Sequence, residues 1–365
     1  MKIIFLLSLL ILVALSMIDP FQIINALGGK QSNARKDVAL QSGYFENGKF
    51  KNLVPTNITT PGSLWKTVSL QFFGKEKRVP DQPIPTVAVR RKDFEKLDPN
   101  RVSAVWIGHS TALIELDGYR ILSDPIWSER AAPSQLFGPK RFFAPPMSID
   151  NLPDLDAVVI SHDHYDHLDM NTILALSKRN TKFIVPLGAG AHLEAWKVPK
   201  QKIIDLNWDE TFRFRDLTIT ATPARHYSGR YLLDGDRTLW SSFVIIGPRH
   251  RVFYSGDSGY FDGFKRIGQK YGPFDLTLIR IGAYGPTWPD IQMTPEEAVQ
   301  THQDVKGNLF LPVHWGTFNL AFHDWKEPAI RFMKAARLAR VRFTIPKPGE
   351  IANLEGPDYV DDWWR

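Results

Sequence analysis

The chain of 365 residues contains no cysteine. That absence excludes a disulfide framework, a thiolate metal site and a thiol nucleophile, and it leaves the redox compartment open. A strong charge bias is also missing. Lys and Arg number 45 against 39 Asp and Glu, for a net charge of +6. The basic residues are scattered, so the electrostatic footprint of a nucleic-acid binder is absent. Internal repeats and low-complexity blocks are lacking as well. With 43% hydrophobic and 23% charged residues, the composition is that of a globular chain and excludes wholesale disorder. Histidine is scarce, ten in all, so any clustering of it carries information.

One long apolar run is present. Lys2 precedes Ile3 to Ile18, broken only by Ser8 and Ser16 and ended by Asp19-Pro20. It shows no polar positions at helical spacing and is shorter than the roughly 20 residues that span a bilayer comfortably. Residues 1–26 therefore read as a signal peptide or short membrane anchor. Lys2 on the inner side puts the remaining chain outside, in the periplasm or on the outer face of the membrane. Residues 27–100, polar at first and then crossed by Pro80, Pro83 and Pro85, read as an N-terminal arm packed on the domain. Leu64, Trp65, Leu70, Phe72 and Phe73 offer an apolar surface there, which packing on the core would absorb.

From Val102 the pattern becomes short apolar strands separated by turns. Val102–Ile107 pairs with Leu113–Leu116 and is followed by Tyr119–Ser123. Further strands are expected at Asp156–Ser161, Phe183–Pro186, Leu217–Thr222, Trp240–Ile246, Val252–Ser255, Leu276–Ile281, Leu309–Val313 and Val341–Ile345. Thr294-Pro295-Glu296-Glu297 starts a helix with a capping residue, a first-turn proline and a glutamate at the third position. A second helix covers 327–339, with Ile330, Met333, Ala336 and Leu338 on one face and Arg331, Lys334, Arg337 and Arg340 on a solvated one. Regular βα alternation is not evident, which suggests sheets packed together with helices outside. The domain spans 101–352 and leaves 353–365 as a tail.

The chemistry concentrates at Ser161-His162-Asp163-His164-Tyr165-Asp166-His167. Four ligand-type side chains lie within six residues, just past an apolar strand. Positions i and i+2 share one side, while i+4 and i+5 turn away, so a single loop can feed two metal ions. The missing ligands should come from other strand ends, where sheet proteins place their sites. His226, Asp257 and His314 each close a strand.

The pattern H-x-H-x-D-H followed by a lone His, Asp and His resembles the metallo-β-lactamase superfamily. Trp106-Ile107-Gly108-His109-Ser110-Thr111, Asp124-Pro125-Ile126-Trp127, Gly256-Asp257-Ser258-Gly259-Tyr260 and His314-Trp315-Gly316-Thr317-Phe318, with others, resemble its N-acylphosphatidylethanolamine phospholipase D branch over about 45 to 350. The resemblance implies an α+β fold, a four-layer αβ/βα sandwich with two zinc ions at one sheet edge. It implies that His162, His164 and His226 hold the first zinc, that Asp166, His167 and His314 hold the second, and that Asp257 bridges them. Asp257 and Asp166 are the candidate catalytic carboxylates. Asp124 stands behind the ligands and holds an imidazole in its tautomer. His109 either lines the site or bonds its own turn. Tyr165 and Trp315 pack nearby, and Tyr284 is a weaker candidate. Two positions depart from the phospholipase: Gln292 replaces a histidine near the site, and Arg280 replaces a proline, giving either an anion contact or an outward side chain.

The function expected from this set is a zinc-dependent hydrolase, a phosphodiesterase of the phospholipase D type that releases phosphatidic acid and an alcohol. The alternative is hydrolysis of a lactone, a β-lactam or a small phosphodiester. Expected partners are a phospholipid or other phosphodiester and a membrane, by peripheral or anchored association. No nucleic acid is expected, and a homodimer is compatible with the sequence.

Overall fold

The computed structural model describes residues 20–94, 100–354 and 362–365. A two-stranded ribbon, β1 (Phe45–Glu46) with β2 (Lys49–Phe50), precedes two larger sheets. The first sheet contains β3 (Val102–Gly108), β4 (Thr111–Leu116), β5 (Tyr119–Ser123), β6 (Ala157–Val159), β7 (Lys182–Pro186), β8 (Ile203–Leu206) and β15 (Ile351–Asn353). The second contains β9 (Thr211–Phe214), β10 (Leu217–Thr222), β11 (Ser242–Ile246), β12 (Arg251–Tyr254), β13 (Phe274–Arg280) and β14 (Gly307–Val313). In space the orders are β15-β3-β4-β5-β6-β7-β8 and β14-β13-β12-β11-β10-β9.

Each sheet begins antiparallel and ends parallel. The parallel part of the first runs β5-β6-β7-β8 and that of the second β12-β13-β14. Parallel neighbours need a crossover, usually a helix. Here α4 (Met170–Leu176) joins β6 to β7, α5 (Gly190–Ala195) joins β7 to β8, α6 (Gly263–Tyr271) joins β12 to β13, and α7 (Pro295–Asp304) joins β13 to β14. This βα alternation is absent from the sequence reading. The physical reason is length: α4 has seven residues and α5 six, too few for an amphipathic period to show. The Thr294 side chain accepts from the Glu297 N–H, and the Glu297 carboxylate accepts from the Thr294 N–H, closing the expected capping box.

The strand period of two sorts the first sheet's side chains into two cores. Val102, Ala104 and Trp106 face the second sheet and share a core with Tyr254, Leu278 and Leu311. Val105 and Ile107 face the other way, onto Ile173 and Leu176 of α4 and Leu193 of α5. The outer face of the second sheet is covered by Phe264 and Ile267 of α6, Val299 of α7, and Phe332 and Met333 of α8 (Glu327–Leu338). The layers are thus helix, sheet, sheet, helix, the α+β sandwich that the sequence leads one to expect.

Three details differ from expectation. Val341–Ile345 is no strand; only Phe343 bridges to Phe310. The buried stripe of α8 is Ala329, Phe332, Met333 and Ala336, at i, i+3, i+4 and i+7, whereas Ile330 and Leu338 are exposed. Third, Leu64, Trp65, Phe72 and Phe73 of the arm do not pack on the core. In α3 (Leu64–Phe73) no residue is buried, and Leu64, Trp65, Phe72 and Phe73 are 70–79% exposed. Other parts of the arm do pack: α1 (Pro20–Ala26) and α2 (Asn33–Gln41) precede the ribbon, and Ala39 and Phe50 join Trp208 and Trp240 in a small core. At the C-terminus Trp364 is buried against Trp315. The run Ile3–Ile18 lies outside the described residues, and no helix among those described is long and apolar enough to cross a membrane.

His302 of α7 is 2% exposed, stacks on Phe310 and shares a 2.8 Å hydrogen bond between its Nδ1 and Thr277 Oγ1. Burial lowers its pKa to about 4. The folded protein therefore keeps this ring neutral while the unfolded chain protonates it below its ordinary pKa, near 6.5. Stability should fall as pH drops from 6.5 toward 4, by about 2 kcal/mol between pH 7 and pH 5 from this group. Chemical denaturation of wild type and His302→Gln across that range checks it: the variant's curve should be flatter.

Candidate metal centre

The site lies where the C-terminal ends of both sheets' inner strands meet. β5 ends at Ser123 and delivers Asp124; β6 ends at Val159 and delivers the loop 161–169. The turns after β10, β12 and β14 deliver His226, Asp257 and His314. These positions are held by unusual backbone. His109, Asp124, Ala283 and His314 all have φ between +32° and +60°. Such conformations cost roughly 1–3 kcal/mol each and persist only where packing dictates them. Gly256, at φ +54°, has no room for a side chain: a Cβ there would lie 2.6 Å from Ser161 Cβ.

Two groups of ligand atoms result. His162 Nε2 lies 2.8 Å from His164 Nδ1, and His226 Nε2 lies 3.4 Å from the same Nδ1. In the second group Asp166 Oδ2 lies 2.9 Å from His109 Nε2, 3.3 Å from His167 Nε2 and 3.4 Å from His314 Nε2. Each group is compact enough to hold a metal ion. Asp257 stands between them. Its Oδ2 is 3.0 Å from His314 Nε2 and 3.9 Å from His226 Nε2, and its Oδ1 is 3.5 Å from His167 Nε2. All seven residues singled out in the sequence are therefore gathered at one edge, and His109, for which two readings stood open, lines the second group.

A further ring of polar contacts orients the ligands. Asp124 is fully buried. It accepts from Ser161 N–H at 2.6 Å and Ser161 Oγ at 2.5 Å, and its Oδ2 is 2.5 Å from His167 Nδ1. The Tyr254 hydroxyl donates to the same carboxylate. His226 Nδ1 is 2.9 Å from the Ile291 carbonyl and His162 Nδ1 is 2.9 Å from Ser161 Oγ, which turns each Nε2 lone pair toward the cluster. Tyr254 escapes a sequence reading because it looks like one more apolar strand residue.

Burial opposes ionisation of Asp257, yet His314, His167 and Arg280 outweigh it and hold the carboxyl well below the usual range. Burial, with the neighbouring imidazoles, pushes His162 well below its ordinary value, and burial lowers His226 to about 3. Ionised carboxylates and neutral imidazoles are the forms that bind metal. His164 Nε2, His167 Nε2, His314 Nε2 and Asp257 Oδ1 are buried without a hydrogen-bond partner. A divalent ion would satisfy the His167, His314 and Asp257 atoms, and the nitrogen and oxygen donor set, free of sulfur, suits zinc.

Of its two expected roles Arg280 takes the anion contact, with a carboxylate of the chain itself, and not the outward one. It is completely buried and turned inward, with Nη1 donating to the Met293 carbonyl at 3.0 Å and Nε 3.5 Å from Asp257 Oδ1. Gln292 also reaches that carboxylate, its Nε2 donating to Asp257 Oδ2 at 2.8 Å. Tyr284 turns away, its hydroxyl donating to Glu327 at 2.7 Å. Trp315 stacks on Trp106 with ring centroids 5.5 Å apart, a packing role.

Residues 119–315, which hold every cluster residue except His109, match the family profile of the beta-lactamase superfamily domain. The chain belongs to the metallo-β-lactamase superfamily. Within it, the chain falls in the N-acylphosphatidylethanolamine phospholipase D-like branch. It is 38% identical to an N-acyl-phosphatidylethanolamine-hydrolyzing phospholipase D of Caenorhabditis elegans over 71% of this chain and 76% of that protein. An uncharacterized protein of Mycobacterium tuberculosis is 44% identical over 93% of this chain and 92% of its own. Among solved structures, a metallo hydrolase of Ignicoccus hospitalis gives a TM-score of 0.54 at 22% identity, covering 70% of this chain and 99% of that one. An isothiocyanate hydrolase from Delia radicum gut bacteria gives 0.55 at 20%, covering 68% and 98%. At such identities the likeness concerns the fold alone. As a superfamily member the protein is a metal-dependent hydrolase.

Asp124→Asn keeps the shape of the buried carboxylate and removes its charge. Divalent-metal affinity should fall 10- to 100-fold, the usual effect of losing a partner behind a ligand. Competition against a chelator measures it, and an unchanged affinity would remove Asp124 from the metal centre.

Proposed function

We propose that the protein is a binuclear zinc phosphodiesterase of the phospholipase D type, hydrolysing a glycerophospholipid to phosphatidic acid and an alcohol. His162, His164 and His226 would hold one ion and Asp166, His167 and His314 the other, with Asp257 between the two groups. The observation that carries the lipid reading is the surface beside the cluster. A groove of about 940 Å³ runs between Gln71 of α3, the strap 78–83, the turn 138–142 and the segment 319–322. It shares Arg78 and residues 319–321 with a smaller cavity lined by His109 and His314. The groove therefore adjoins a cavity that reaches the cluster and meets α3 at Gln71. An apolar helix in water next to an active-site groove is costly to expose unless something apolar covers it.

When bound, two divalent ions supply Lewis acidity and make water nucleophilic near neutral pH. The chain's own residues supply placement and charge. Asp257, fixed by Gln292 and faced by Arg280, is positioned to take the proton of the attacking water. Water attacks phosphorus in line, the bond from phosphorus to the departing alcohol's oxygen breaks, and the proton held by Asp257 passes to that oxygen, so the alcohol leaves neutral and Asp257 is restored. His109, 2.9 Å from Asp166, holds that carboxylate in place. Association with a membrane, through α3 and the apolar run behind Lys2, would bring lipid to the groove, and export of the chain would put the domain outside the cytoplasmic membrane.

Protein purified without chelator should approach two metal ions per chain by elemental analysis, and a value that stays near one in excess zinc sinks the binuclear centre. His164→Ala should lower turnover by about a thousandfold or more, because a lost ligand loses the activated water. Hydrolysis in oxygen-18 water should label phosphatidic acid rather than the alcohol. Rapid opening of a lactone or β-lactam, with no phosphodiester cleaved, would overturn the lipid reading. In a separate test, Trp65→Ser with Phe72→Ser should weaken binding to phospholipid vesicles at least tenfold. The same pair should leave hydrolysis of a soluble short-chain phosphodiester within about twofold of wild type, because neither side chain belongs to the cluster.

A further inference from the structure

The back of the metal loop is tied to the N-terminal segment at two places that hydrolysis itself does not use. Arg230, 5% exposed, makes the first tie. Its Nε and Nη2 donate to the Ala26 carbonyl at 2.9 and 2.7 Å, and its Nη1 donates to the carbonyls of Asp163 and Leu168 at 2.6 and 3.0 Å. The guanidinium carbon lies 4.1 Å from the centroid of the Tyr165 ring, between two ligands of the loop. Only a planar fork of donors can serve carbonyls on both sides at once.

The second tie is a relay. Gly29 N–H donates to His192 Nδ1 at 3.1 Å, which leaves the ring proton of the neutral imidazole on Nε2. That atom lies 3.3 Å from Asp163 Oδ2, and Asp163 sits between His162 and His164. The segment approaches too closely for side chains. A Cβ on Gly28 would lie 2.1 Å from His192 Nδ1, and one on Gly29 2.4 Å from the Ala191 carbonyl.

We propose that Ala26–Gly29 is a strut of the metal loop, so that the N-terminal segment sets how tightly the loop retains its metals. The inference rests on the metal reading above. If the strut is lifted, Arg230 keeps a buried charge with unpaired donors and His192 loses the partner that fixes its tautomer. Both then relax against Asp163 and Leu168, the residues that aim the ligands. A chain cut after Ala26 would lose the carbonyl that Arg230 holds.

The test uses full-length, zinc-loaded protein mixed with excess chromogenic chelator, read as the rate of zinc release. Gly29→Leu, which alters no loop residue, and Arg230→Lys should each release zinc at least tenfold faster than wild type, as expected for lost outer partners. His192→Gln, whose amide can accept from Gly29 and donate to Asp163, should release more slowly than His192→Leu. Phe21→Ser on the exposed side of α1 should match wild type. Phe332→Leu, in the core of the opposite helix layer, should lower the melting temperature without changing release, which separates the strut from general destabilisation. If Gly29→Leu fails to fold, Arg230→Lys and the His192 pair decide. Release within twofold of wild type in Arg230→Lys and His192→Leu overturns the strut, whereas a wild-type protein that binds no zinc overturns the metal reading instead.

Discussion

Everything at this site depends on burying imidazoles and carboxylates together. An isolated ion taken from water into a protein interior costs several kcal/mol after relaxation. Here Asp124, Asp257 and the imidazoles of His162, His167 and His226 are all at most 3% exposed. Such a group survives only if each charge meets its opposite and each lone pair a partner. Asp124 meets His167, Ser161 and Tyr254, and Asp257 meets His314, His167, Arg280 and Gln292. Buried ligand atoms still remain without hydrogen bonds. Their unmet demand is the physical argument that the cluster is built for cations.

The sandwich supplies the rigidity such a cluster needs. Ligands come from the ends of strands whose neighbours are locked by hydrogen-bonded ladders, so their positions are inherited from the sheets. The cost falls on the connecting turns. His109, Asp124, Ala283 and His314 take left-handed backbone, and Gly256 gives up its side chain so that the Asp257 turn can lie against Ser161. Strain at these turns is stored against the packing of the two cores.

Arg280 gives this centre its own electrostatic character. A guanidinium beside a carboxylate that two metal ions would share competes with them for the same negative charge. Burial draws its pKa down to about 10, which leaves it charged at neutral pH. Asp257 is thereby pulled three ways: toward the imidazoles, toward Arg280 and toward the amide of Gln292. The arrangement fixes the carboxylate's orientation before substrate arrives, which is worth more to catalysis than the strength of any single contact.

The sequence by itself pointed to the seven residues that the fold gathers at the cluster, and its resemblance to the superfamily pointed to the sandwich. Four ligand-type residues in six positions, followed by lone polar residues at strand ends, leave few other chemistries, and alternating apolar strands marked most of both sheets. It also fixed the capping box at Thr294, a purely local device. What it could not decide were matters of long-range approach. Short crossover helices such as α4 and α5 carry too few turns to show a period. The exposure of α3 depends on what the core leaves uncovered. The inward turn of Arg280 depends on Asp257, and the hold of Arg230 on Ala26 joins residues far apart in the chain. A contact of that kind leaves no trace in local spacing, because its energy exists only once two distant backbones have been brought to hydrogen-bonding distance by the packing between them.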